Sequence, residues 1–141
     1  MRNGVPMVTL LYAGLLALMF VVMAWRVVQL RRSSRTSLGD GGHAELQRVV
    51  RGHGNFTEYV PLALLLLGLL ELGRVSIYVL HALGLVLLVA RILHAGAFSF
   101  GPGHRFKWRV WGAGLTFAVL LVEGALCLAI ALRAHWAWFA L

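Results

Sequence analysis

Charge is what this 141-residue sequence has least of. Only 13% of its residues are Asp, Glu, Lys or Arg, about half the share usual in a soluble domain. Five acidic residues are set against 13 Lys and Arg, a formal net charge of +8, and 60% of the chain is hydrophobic. That balance argues against a soluble fold, and the apolar excess argues against reading the basic surplus as a nucleic-acid surface. One cysteine, Cys127, excludes an internal disulfide framework and any multi-cysteine metal centre. The histidines give no ligand set in its place. His53 stands five positions before Glu58 and His43 two before Glu45, neither an i, i+3 or i, i+4 helical pair, and His81 and His94 point about 140° apart on a helix. No metal is expected.

Long uncharged runs fill the rest. Residues 5–25 carry no charge and are long enough for the ~20 helical residues a hydrocarbon core requires. Trp25, Arg26 and the Arg31–Arg32 pair follow in place of a small-x-small cleavage site, so the run reads as a retained span rather than a signal peptide. Residues 75–93 and 110–132 are two further spans, the last interrupted by Glu123. Between them, the apolar stretch 60–70 is too short to cross alone. Extended back to Glu45 and on to Glu71, it gives roughly 40 Å of helix at 1.5 Å per residue, half apolar and half polar, with Pro61 inside it. Proline is tolerated in a membrane helix where neighbours satisfy the freed carbonyl, and a kink is expected there. The chain is therefore read as all-α, one four-helix transmembrane domain over residues 1–141, with spans at about 5–30, 45–71, 75–98 and 108–133. A transporter is disfavoured because no inverted repeat is visible.

Ten of the 13 basic residues, Arg26, Arg31, Arg32, Arg35, Arg48, Arg51, Arg91, Arg105, Lys107 and Arg109, lie in or beside the first and third connections. Arg2, Arg74 and Arg133 lie on the other side. By the positive-inside rule the first and third connections face the cytoplasm and both termini face out. The basic collar can also attract anionic lipid headgroups. Trp108 and Trp111 at one end of the last span, with Trp136 and Trp138 at the other, fit interfacial aromatic belts.

Arg48, Arg51, Asn55, Glu58 and Tyr59 fall within about a 100° sector of the second helix. Polar and ionisable groups at membrane depth face a bundle interior, a cavity or a partner, so two readings stand. In one, Glu58 and an arginine of a neighbouring helix form a structural ion pair. In the other, the stripe binds a small anionic or zwitterionic ligand: guanidinium groups grip carboxylates, Glu58 accepts from an amine, and Asn55 and Tyr59 add hydrogen bonds. That set suits an amino acid or peptide. Arg91 and His94, an i, i+3 pair at the basic end of the third helix, line the same cavity or cap the helix.

The segment Arg51-Gly-His53-Gly-Asn55-Phe-Thr-Glu58-Tyr59-Val-Pro61 resembles the signature of the MAPEG superfamily, membrane-associated proteins in eicosanoid and glutathione metabolism. From Gly39 to Pro61 it is similar to the bacterial inner-membrane branch. The resemblance implies a homotrimer in the inner membrane, with glutathione as co-substrate at each of three cytoplasm-facing subunit interfaces. Arg51, Asn55, Glu58 and Tyr59 match the family's glutathione contacts. Arg48, Arg91 and His94 join them as candidate binding residues, and Arg31 or Arg32 matches the basic residue supplied by a neighbouring subunit. Arg105 matches the arginine that stabilises the glutathione thiolate in transferase branches, and is the candidate catalytic residue. The implied activity is a glutathione transferase or peroxidase acting on an apolar electrophile from the bilayer. The sequence departs from eicosanoid-forming members, where two tyrosines four positions apart face glutathione, by carrying His94 and Phe98. The alternative is a non-catalytic trimer that binds glutathione or anionic lipid in a structural or regulatory role.

Overall fold

A computed structural model of the chain describes residues 4–99 and 106–139, with side chains as far as Trp136. Arg2, the connection 100–105 with Arg105, and the side chain of Trp138 lie outside the described residues. The structure is all-α: α1 (Met7–Ser33), α2 (Ala44–Leu72), α3 (Ile77–Phe98) and α4 (Phe106–Phe139). Each is long and apolar enough to cross a membrane. α2 runs through Pro61 without ending. α4 continues past the apolar stretch that ends at Leu132, because Arg133, Ala134, His135 and Trp136 contain no glycine or proline to stop it.

The helices alternate in direction. Arg26 of α1 meets Glu45 of α2 at one end and Val8 meets Glu71 at the other, so these two are antiparallel. Asn55 of α2 meets Arg91 of α3. α2 and α3 form the central pair, and among the described residues the backbones of α1 and α4 do not approach one another closely. Tyr12, Leu16 and Met23 of α1, Phe56, Ala63 and Leu67 of α2, Leu80 and Leu87 of α3 and Val119 of α4 are buried in one apolar core. The outer faces of α1 and α4 are left apolar and exposed, with Leu18, Val21, Leu121 and Leu128 among the most uncovered side chains. Such faces are stable only against lipid or another subunit.

The two ends of the α1–α2 hairpin are closed by different chemistry. At the arginine-rich end Arg26 Nη2 donates to Glu45 Oε1 at 2.8 Å. In the connection that follows α1, Gly39, Gly41 and Gly42 all take positive φ, and the Gly42 N–H donates to Asp40 Oδ1 at 3.0 Å. At the opposite end α1 has no side-chain cap of its own, since its N-cap is Pro6. Glu71, from the last turn of α2, supplies one. Its carboxylate accepts from the Val8 and Thr9 N–H groups and from Thr9 Oγ1, each at 2.8 Å. A helix N-terminus has unsatisfied N–H groups and a partial positive charge, so a carboxylate there satisfies both.

In lipid, helix association depends on close packing rather than on hydrophobic burial. α3 and α4 approach closely through backbone at Gly112. A Cβ placed there would lie 2.8 Å from the Ala90 carbonyl oxygen and 2.9 Å from both His94 N and Cβ. These are mostly backbone atoms that cannot turn aside. Gly112→Ala is therefore expected to destabilise the protein by about 1–3 kcal/mol through overpacking. Gly114→Ala, with nothing within 4 Å, should be neutral or slightly stabilising through helix propensity. Thermal melting of the two variants in detergent distinguishes them, and equal melting would refute the close-contact explanation.

Candidate functional site

The second helix carries its polar residues on one face because they recur at intervals of three and four, and the structure keeps them together along about three turns at the arginine-rich end of the bundle. Arg51 and Glu58 are exposed, while Arg48, Asn55 and Tyr59 are half-buried. Arg51 Nη1 lies 3.4 Å from Glu58 Oε1, with the two side chains 67% and 48% exposed. Among the described residues Glu58 thus pairs within its own helix, at i, i+7, and not with an arginine of a neighbouring helix. A long, exposed pair of this kind contributes little to stability, so both groups remain available to another charged partner.

The inner side of the stripe is tied to α3. Arg91 is only 1% exposed, and its Nη2 donates to Asn55 Oδ1 at 2.9 Å. Its Nε and Nη1 have no hydrogen-bond partner among the described residues. The guanidinium carbon lies 5.7 Å from the centre of the Phe56 ring, a distance at which a cation is attracted to an aromatic face. Tyr59 leans against α4, its ring edge-on to Phe117 at 5.4 Å between centroids.

His94 is buried, and its ring stacks on Phe98 at 4.7 Å between centroids and 25° between planes. On Phe98 also sits the Arg109 guanidinium, 4.5 Å from the ring centre. Phe98 in turn packs against Gly52 of α2, where a Cβ would come within 2.6 Å of the Phe98 Cβ. The stack joins α2, α3 and α4 and encloses His94, in contrast to the exposed Arg51 and Glu58. Arg109, read from the sequence only as part of the basic collar, is one of its members. No spacing rule within one helix predicts this, although an aromatic one turn after a histidine is its visible half.

The α1 arginines are engaged near their own helix end. Arg31 Nη1 donates to the Ser37 carbonyl at 3.1 Å, and Arg32 lies 6.0 Å from the Trp25 ring centre. Both line a shallow depression with Val28, Arg35, Thr36 and Ser37. The structure therefore brings together Arg51, Glu58, Asn55 and Arg91, holds His94 in a stack with Phe98 and Arg109, and leaves Arg31 and Arg32 with local partners. Among the described residues no group of three or more His, Cys, Asp or Glu side chains is placed to hold a metal ion.

The sequence pattern of the MAPEG family matches residues 9–129. Over 117 residues the chain is 40% identical to inner membrane protein YecN of Escherichia coli, a match that covers 82% of this chain and 86% of that protein. YecN from a second Escherichia coli strain, of serotype O6:H1, matches to the same extent.

Proposed function

Because the chain belongs to the MAPEG family of membrane proteins, we propose that its α2 stripe binds glutathione and that the protein uses the bound thiol as a transferase or peroxidase in the inner membrane. The observation that carries this reading is the weak, exposed Arg51–Glu58 pair beside Asn55 and Tyr59. It offers a cation for a carboxylate, an anion for an ammonium and neutral hydrogen-bonding groups between them. Glutathione has matching groups along a chain of similar length. The localisation is supported by the inner-membrane relative and by the four candidate spans. The basic collar would place the stripe at the cytoplasmic surface, with both termini on the far side.

In this reading the protein is a homotrimer. Arg51, Asn55, Glu58 and Tyr59 hold the peptide, Arg48 adds positive charge, and Arg31 or Arg32 reaches the site from a neighbouring subunit. Arg105 stabilises the thiolate, since only the thiolate is a good nucleophile and a nearby cation favours the charged form. The thiolate then attacks an apolar electrophile entering from the lipid. It forms a C–S bond as a leaving group such as halide departs, or it breaks the O–O bond of a hydroperoxide, releasing the alcohol and leaving a sulfenic acid that a second glutathione converts to disulfide and water.

A non-catalytic second reading, in which the trimer binds glutathione or anionic lipid for a structural or regulatory purpose, is favoured by one feature. Phe98 offers no hydroxyl, and His94 is stacked on it rather than presented beside Arg51. Calorimetric titration of the detergent-purified protein with glutathione, followed by assays with a chloronitrobenzene and a lipid hydroperoxide, separates the readings. Arg51→Ala should weaken glutathione binding roughly tenfold or more, the loss of one charge-assisted hydrogen bond. Turnover that falls in Arg105→Ala supports the enzyme. Binding without turnover supports the second reading, and wild-type protein that does not bind glutathione refutes both glutathione readings.

A further inference from the structure

An amide has chemically opposite ends, and at Asn55 a residue on another helix decides which end is free. Arginine only donates hydrogen bonds, so the 2.9 Å contact from Arg91 Nη2 identifies the facing atom of Asn55 as its oxygen. Turning the amide over would set its N–H2 against the guanidinium and leave a third group of the buried Arg91 without a partner, beside Nε and Nη1. Arg91 cannot withdraw from the contact into water, because it is 1% exposed and packed by Phe56, itself 3% exposed. Asn55 is only half-buried, so its amide has a side that is not enclosed. With the oxygen committed to Arg91, what it offers elsewhere is N–H.

We propose that Arg91 is a positioning residue: by holding Asn55 Oδ1 it makes the Asn55 amide a donor, and so restricts the stripe to ligands that bring a carboxylate or peptide carbonyl to that point. Arg48 and Arg51 also only donate, so the side chains of the stripe up to Asn55 supply donors. Glu58 is its carboxylate acceptor, three residues or about 4.5 Å further along the helix axis. The complementary ligand is a peptide with its acidic groups towards Arg51 and its ammonium towards Glu58. Arg91 does not touch it. This inference rests on the glutathione reading for the identity of the ligand, and the test separates the two.

Full-length wild type and the variants Arg91→Lys, Arg91→Met and Asn55→Asp are titrated with glutathione in detergent, and each is also melted without ligand. Lysine still donates to Oδ1 and should bind within about threefold of wild type, whereas methionine releases the amide and should weaken binding about fivefold or more. Asn55→Asp is the decisive variant. It keeps an oxygen for Arg91 and turns an acceptor towards the ligand, so glutathione affinity should fall about tenfold or more while the ligand-free melting temperature is unchanged or raised. Loss of a merely structural contact would lower both together. Wild-type affinity in Asn55→Asp, or in Arg91→Met, overturns the proposal. If wild type binds no glutathione, the functional reading falls and ligand-free melting decides the Arg91 contact: a rise caused by Asn55→Asp in the wild-type background but not in Arg91→Met supports it, and equal shifts in both overturn it.

Discussion

Replacing Glu71 with alanine is expected to cost about 2–4 kcal/mol of stability, more than a single helix cap usually contributes. The reason is that one carboxylate serves three donors at once, the Val8 and Thr9 N–H groups and the Thr9 hydroxyl. Without it, two N–H groups at the start of a helix whose own N-cap is Pro6 lose their acceptor. Water reaches this end only in part, since Val8 is 5% exposed. Glu71→Gln keeps an acceptor but not the charge that complements the helix dipole, and should fall between wild type and alanine. Thr9→Val removes one of the three bonds and should cost about 1 kcal/mol. Melting of the three variants in the same detergent gives the order directly, and a Glu71→Ala protein as stable as wild type would show that the contact does not hold the hairpin.

The opposite sign is expected at Glu123. Its side chain is 0% exposed, and neither carboxyl oxygen has a hydrogen-bond partner among the described residues. One turn earlier on the same helix face is the buried Val119, and two turns earlier is Thr116, whose hydroxyl is spent on the Gly112 carbonyl at 2.8 Å. A carboxyl group in such surroundings has lost its water and gained nothing in exchange. Glu123→Leu, of similar volume, is therefore expected to stabilise the protein by about 1–4 kcal/mol, in line with apolar replacements of buried ionic groups elsewhere. Glu123→Gln retains the unmatched polar atoms and should gain much less. A leucine variant that melts below wild type would mean that Glu123 has a partner in the assembled protein.

The four-helix class was legible because runs of uncharged residues leave few alternatives, and the structure is all-α with four membrane-length helices. α2 was the least obvious of these, since its apolar half is short, yet its polar residues at intervals of three and four mark it as the same helix. That periodicity also made the stripe visible, because residues on one helix face are set by the 3.6-residue repeat alone. What joins helices was not visible. The contacts of Arg91 with Asn55 and of Glu71 with Val8 and Thr9 span 36 and 62 to 63 positions, and they depend on how far each helix is rotated about its axis. A lone sequence carries no signal for that rotation. Glu58 shows the same limit from the other direction: its partner among the described residues, Arg51, is on its own helix, where heptad spacing could have indicated it, whereas the ion-pair reading of the stripe looked to a neighbouring helix.

The Glu71 cap also bears on how the chain is made. The start of α1 is completed by a carboxylate that emerges from synthesis more than sixty residues later. Until then the first helix has an open N-terminus, and that end cannot reach its final hydrogen-bonded state by itself. Maturation of that end therefore waits on delivery of the far end of α2, so that the first two helices reach their finished form as a pair, whereas the start of α3 at Ile77 follows Glu71 by only six residues.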